Sequence, residues 1–360
     1  SVLAELEEES PGKTKQFFAI SGVSGGSVGA AFYTAFYKDY LQQKNPLQEK
    51  QDIMHTFHLN VFKSDFLSPL LTACLGGDLL QKFLPFVAIN SLDRAQYLED
   101  TWAHYYQKQT PKGWKLDKNM LNEPFLDLWK DANTRYQVPV LFLNTTRVET
   151  GQRAVLTPLS FQDNSYFHEV IDLQEHIRRN ISLKVAASMS ARFPIVTPPA
   201  TVVKFNKPTE DVANYVDGGY VDNTGLETAG AILNTLTKHT ERWPVKPRYR
   251  LIFIRNSSSL DPANQPKPVK TLYEYSAPLS AFINAWDNST GPKLTLAKEF
   301  LREKAQAGKG VDSTLFVISL DRNVGTIPLG WELSKDAEAR IDTQIETLAQ
   351  NYKHLFKKQP

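Results

Sequence analysis

Two short segments carry side chains able to do covalent chemistry. The first is Gly22-Val23-Ser24-Gly25-Gly26, a G-x-S-x-G string. A serine on a tight turn between a strand and a helix is pushed above the sheet, where its hydroxyl can attack a carbonyl carbon. The flanking glycines tolerate the strained backbone and close packing of such a turn. The helix that follows would aim its positive end and its first N–H groups at the developing oxyanion, with the amide of Gly25 as first donor. The string recurs in overlap as Gly25-Gly26-Ser27-Val28-Gly29. Ser24 is preferred because it falls in the turn itself, whereas Ser27 falls inside the first helical turn and would not be presented at the sheet edge.

A serine nucleophile requires a base. One choice is a histidine, as in a Ser-His-Asp esterase of α/β-hydrolase type, and His239 and His354 lie late enough in the chain to serve. His239 sits in the charged patch 238–242 and His354 in a Lys-rich tail, the settings of solvated histidines. The other choice is Asp217, followed by Gly218 and Gly219. An aspartate at a strand end before two glycines is held rigidly with its carboxylate free, and an ordinary Asp-Gly turn is the alternative. His55 and His58, three apart on a helix, have no third ligand nearby in the sequence, so no metal is expected.

Holding Ser24 and Asp217 in place asks for two strand-turn-helix units. Phe17-Phe18-Ala19-Ile20 reads as a buried strand, and Val28, Ala31, Phe32, Ala35 and Phe36 recur at helical spacing, which predicts a helix to about Leu41. Residues 47–135 read as mainly helical. The run 138–146 (VPVLFLNTT) is rich in β-formers, and 154–156 offers a second strand after a turn. A helix is expected over 173–190. The second unit lies at 215–219, its helix carrying Leu226, Ala229, Leu233 and Leu236, with Thr224 and Glu227 as a capping box. Strands at 250–255 and 314–319 flank a Pro-rich loop, 261–268, and helices over 271–307. A last amphipathic helix runs through Ile341, Ile345, Leu348, Tyr352 and Leu355. Strands separated by helices throughout argue for one α/β domain with a largely parallel sheet.

Composition narrows the partners. The 360 residues are 41% hydrophobic and 22% charged, the balance of a globular protein. A net charge of +2 gives no electrostatic footprint for nucleic acid. A lone cysteine, Cys74, excludes an internal disulfide and a Cys-based zinc cluster. The longest uncharged run, 16–37, is broken by four glycines and reads as strand, turn and helix, so no transmembrane helix is expected. The acidic start, residues 1–9, does not read as a signal peptide. The apolar stretch 66–89 reads either as buried helices or as a lid or membrane-facing surface at the mouth of a site.

With the Ser24 elbow and the distant Asp217-Gly218-Gly219, the sequence resembles the patatin-like phospholipases and their cytosolic phospholipase relatives. Further segments fit in the family's order: Asn144-Thr145-Thr146 with Gly151 following, then 186–191 (AASMSA) with Phe193-Pro194, then 217–227 (DGGYVDNTGLE), which is close to bacterial members. The resemblance spans about 17–236 and implies a three-layer α/β/α fold with a mostly parallel central sheet. It also implies a serine hydrolase with a Ser24–Asp217 dyad, Gly25 at the oxyanion, Gly22 and Gly26 supporting the elbow, and Gly218 and Gly219 supporting the aspartate. The substrate it implies is a lipid acyl ester, cleaved in the manner of a phospholipase A or lysophospholipase without metal or organic cofactor, in the cytoplasm or at a membrane periphery. Residues 47–135 then become a helical insertion or lid and 260–360 a C-terminal extension of a single domain, 1–360. One departure stands out: the family's glycine-rich oxyanion loop precedes the elbow, and before Phe17 the chain offers only Gly12. The expectation is that this loop lies in a segment preceding Ser1; the alternative is a non-catalytic lipid-binding module without it.

Overall fold

The computed structural model describes residues 2–43, 53–66, 68, 94–114, 116, 118–161, 164–177, 180–193, 197–203, 212–245, 247–255, 289–320 and 335–352. In chain order its elements are α1 (Val2–Glu9), β1 (Ala19–Val23), α2 (Gly25–Leu41), α3 (Ile53–Phe62), α4 (Arg94–Gln109), β2 (Val140–Arg147), β3 (Arg153–Leu156), β4 (Ile171–Asp172), α5 (Leu173–Ile177), α6 (Leu183–Ser190), β5 (Ala200–Val203), β6 (Val212–Asp217), α7 (Leu226–His239), β7 (Tyr249–Arg255), α8 (Thr290–Gln306), β8 (Val311–Ser319) and α9 (Lys335–Tyr352). The α/β class expected from the sequence holds.

The apolar run of β2 makes it the central strand, because a strand without polar alternation must be covered on both faces. Its odd-numbered Leu141 and Leu143 join a core with Phe32 and Phe36 of α2, Trp102 and Tyr106 of α4 and Ala187 of α6. Its even-numbered Phe142 faces the other way, into a smaller core with Val155 of β3 and Ala231 and Ile232 of α7. Helices therefore cover both faces, which makes three layers. On the face of the larger core, α2 is buried almost all round, as its apolar residues on every side require.

Six strands pair in a mixed sheet. β1 runs parallel to β2, and β3 parallel to β4; β2–β3, β2–β6 and β5–β6 are antiparallel. The register on β2 is decisive for the site. Val23, the last residue of β1, sits opposite Asn144, and Asp217, the last residue of β6, sits opposite Thr145. Since β3 occupies the other edge at these positions, β1 and β6 lie end to end along one edge of β2, with their C-terminal ends meeting.

Several sequence expectations are corrected. The β1 strand begins two residues later than the apolar run suggests. The single helix over 173–190 is two helices, α5 and α6. Between them the chain is extended at Ser182, which bridges Pro124, and the Phe125 N–H donates to Ile181 O at 2.7 Å. The Thr224/Glu227 capping box does not form. Thr224 Oγ1 instead accepts from Leu226 N at 3.1 Å and Asp222 Oδ2 from Glu227 N at 3.3 Å, while Glu227 turns to Arg153. The strands β7 and β8 pair in parallel as a separate two-stranded sheet rather than extending the main one. The reason is α7, which turns Ala231 and Ile232 to the main sheet and Leu226 and Leu233 to a core with Phe253, Leu301 and Leu315. Within 66–89 only Phe66 and Ser68 are described. The 261–268 loop, the 271–288 part of the expected helical region, His354 and Leu355 lie outside the described residues. No helix among the described residues is long and apolar enough to cross a membrane.

Candidate active site

At the end of β1 the chain turns through Ser24, which takes φ 53° and ψ −129° before α2 begins. This left-handed φ is uncommon for a residue with a side chain and persists only where neighbours enforce it. They do so here. Ser24 N–H points to Ser190, 3.2 Å from both its O and Oγ, and Ser24 O accepts from Ser27 N at 2.9 Å and Val28 N at 3.2 Å. A Cβ on Gly22 would stand 2.7 Å from Ser27 Cα, so the strand can pass this close to α2 only without a side chain. Ser27 is fully buried, its hydroxyl 2.7 Å from that of Ser190, while Ser24 is half-buried. Of the two overlapping serines, only Ser24 is presented. Gly25 and Gly26 are exposed at the head of α2, where first-turn N–H groups have no carbonyl inside the helix to bond. An added Cβ at either would meet nothing within 4 Å, so crowding does not account for them.

β6 delivers Asp217 to the same place. Its N–H donates to Arg192 O at 3.1 Å, and Thr145 Oγ1 donates to Val216 O at 2.5 Å. Gly218 then lies against β2 so tightly that a Cβ would fall 2.3 Å from Asn144 O. The carboxylate is fully buried. Gly219 N–H donates to Oδ1 at 2.8 Å, and Oδ2 has no hydrogen-bond partner among the described residues. The Ser24 hydroxyl is near enough to favour the ionised carboxylate, in a contact that stops short of full hydrogen-bond geometry. Burial pushes the carboxyl up to about 6, against the opposing pull of Ser24 and the Gly219 N–H.

Beside the two turns lies Asn144, a buried amide directly after the apolar run of β2, with Gly218 packed against its main chain. Its Nδ2 donates to Gly22 O at 2.7 Å and Ser21 Oγ at 3.0 Å, its Oδ1 accepts from Thr228 Oγ1 at 2.5 Å, and its main-chain O accepts from the Ser190 hydroxyl. Ser190 and Asn144 fall in segments that carried the family resemblance, yet their bonding roles follow only from tertiary contacts. An amide directly after the apolar run 140–143 of a buried strand was the available signal, since a buried amide must find partners.

No described histidine has a hydrogen bond to Ser24 or Asp217. Gly225, just before α7, accepts from Ser21 Oγ at 2.9 Å, so the 14 residues of that helix carry His239 about 20 Å away, to an exposed position. His58 is buried among Tyr33, Phe36 and Phe57, and burial holds its pKa down to about 3. His55 does gain neighbours that its sequence surroundings did not offer: it pairs with Glu5 at 2.6 Å, and Glu8 is close by.

A family model described as patatin-like phospholipase matches residues 1–229. The chain belongs to that family. Among curated proteins, none matches it. The patatin-like fold is the three-layer α/β/α arrangement seen here, and the family consists of lipid acyl hydrolases of phospholipase type. The matched span takes in both turns and Asn144, and ends within α7. Lys293 of α8, which reaches the Asp217 turn at Val221 O and Asp222, comes from beyond it.

Proposed function

We propose that this patatin-like chain hydrolyses lipid acyl esters, as a phospholipase A or lysophospholipase does, with Ser24 as nucleophile and Asp217 as its base. The observation that carries the reading is the end-to-end meeting of β1 and β6 on one edge of β2, which brings the strained Ser24 beside a buried carboxylate oxygen with no hydrogen-bond partner among the described residues. Asp217 takes the Ser24 proton as Oγ bonds to the ester carbonyl carbon. The oxyanion that forms is met by the Gly25 N–H and the positive end of α2. Collapse expels the alcohol, which takes the proton from Asp217 and leaves an acyl-serine. A water then gives a proton to Asp217 as it attacks, releasing the fatty acid and restoring the Ser24 hydroxyl.

An ordinary carboxylate is a poor match for a serine proton, and burial narrows the gap by raising Asp217 to about 6. The base is the ionised form, so activity rises as pH climbs through about 6 and is lost below it. The test is labelling by a fluorophosphonate probe with peptide mapping. Label on Ser24, absent from Ser24→Ala and strongly reduced in Asp217→Asn, is the expected result. Label on another serine, or an Asp217→Asn chain labelled as fast as wild type, refutes the assignment.

A further inference from the structure

The segment after the dyad aspartate holds a second one, Asp222, and the two lie in opposite environments. Both side chains are fully buried. Asp217 has no cation at hydrogen-bond distance among the described residues. Asp222 has Lys293 Nζ at 3.1 Å and Arg153 at 3.9 Å, besides the N–H and Oγ1 of Thr224 at 3.0 and 2.7 Å. Burial works against its charge, yet the Thr224 bonds and Lys293 outweigh it and hold the carboxyl below the usual range.

Lys293 does more than neutralise. Its ammonium also donates to the main-chain O of Val221 at 2.9 Å and pairs with Glu227 at 3.2 Å. Among the described residues, the Arg153 side chain by contrast pairs with the carboxylates of Asp222 and Glu227 alone. From Val221 and Asp222 the path to the base is one hydrogen bond long: the N–H groups of both donate to Gly218 O, at 3.2 and 3.1 Å, and Gly218 follows Asp217 directly. The same helix end holds the next residue, with Asn223 Nδ2 donating to Thr290 Oγ1 at 3.0 Å. A cation near the start of a helix faces the positive end of its dipole, so local helix preference does not explain Lys293 there. The buried Asp222 does.

We propose that Lys293 is a positioning residue for the hydrolysis: from a helix outside the family-matched span, it clamps the turn 217–222 and so fixes where the Asp217 carboxylate meets Ser24. The proposal rests on the dyad reading above. Without the clamp the ester still binds but the base is misplaced, so the loss falls on kcat. In Lys293→Met, kcat for p-nitrophenyl butyrate is expected to drop about tenfold or more with KM within about twofold of wild type. Amide hydrogen exchange across 217–225 should quicken, and Lys293→Arg, which can still reach both acceptors, should recover most of the kcat. Because Lys293→Met strands a buried carboxylate and could fail to fold, Asp222→Asn/Lys293→Met removes both charges. The expected result is a melting temperature near wild type with kcat still low.

A double variant with full kcat shows that Lys293 serves only to balance Asp222, and overturns the proposal. Unchanged exchange across 217–225 in a Lys293→Met chain whose Ser24 is labelled at the wild-type rate overturns it as well. Wild-type chain that takes no fluorophosphonate on Ser24 fails the dyad reading instead, and the exchange comparison then reports on the clamp by itself.

Discussion

Replacing Asp217 by Asn should make the protein more stable at neutral pH while strongly reducing the reactivity of Ser24. Burial raises the carboxyl from an ordinary 3.8 to about 6, which means that the folded state binds this proton more tightly than the unfolded chain does. The stability so contributed is fully present below pH 3.8 and is lost as pH rises through about 6, where the buried group is forced to ionise. Each pH unit of that gap is worth about 1.4 kcal/mol, so at pH 8 the charged Asp217 costs the fold about 3 kcal/mol. Asparagine carries no charge and keeps an oxygen for the Gly219 N–H. Urea unfolding of wild type and Asp217→Asn, each at pH 4.5 and pH 8, isolates the effect, because any cost of asparagine that does not depend on pH cancels in the difference. The variant should gain about 2 kcal/mol on wild type between the two pH values. Equal pH dependence of the two proteins would refute the reasoning, since it would mean that the carboxylate is solvated rather than held dry beside Ser24.

The pH dependence of Ser24 labelling offers a second check. It should rise with its midpoint at about pH 6, and a chain labelled at full rate at pH 4 would show that Asp217 is not the base. Gly218→Ala would drive a Cβ to 2.3 Å from Asn144 O, a main-chain atom of the central strand. It should cost about 1–3 kcal/mol in denaturant unfolding and slow Ser24 labelling severely, and a normally labelled variant would mean the two turns are not packed as described. Ser190→Ala removes the hydroxyl that links Ser24, Ser27 and Asn144, with an expected loss of about 1–3 kcal/mol in the same assay and slower labelling. Glu99→Ala removes the carboxylate 3.0 Å from the buried Arg192 guanidinium and should destabilise by about 3–5 kcal/mol; a change under 1 kcal/mol would show that other groups or water satisfy the guanidinium.

What the sequence could declare about this protein is what depends on near neighbours. A strand, a glycine-flanked serine and a helix follow one another within residues 19–41, so the turn at Ser24 was legible from spacing alone, and so was the place of Ser27 inside the helix. The apolar face of α7 was legible for the same reason, because helical periodicity is written locally. Where tertiary contacts compete with local preference, the reading failed. The helix expected over 173–190 is interrupted because the chain near Ser182 pairs with 121–125, and the capping box gives way because Asp222 takes over the first turn of α7.

Only the tertiary structure decided how the distant parts meet. Nothing in the spacing of Ser24 and Asp217 says that β1 and β6 share an edge of β2, since strand register is set by pairing across the sheet. The sequence cannot show that Asn144 ties the Ser24 strand to α7 and α6, or that two aspartates five residues apart part ways, one raised by burial with no cation at hydrogen-bond distance among the described residues and the other held low by the Thr224 bonds and Lys293. Burial and charge at a side chain are sums over everything packed around it, and most of those groups come from far along the chain. The residue types proposed for the chemistry could therefore be picked out of the sequence, while their titration, their strain and their support belong to the fold.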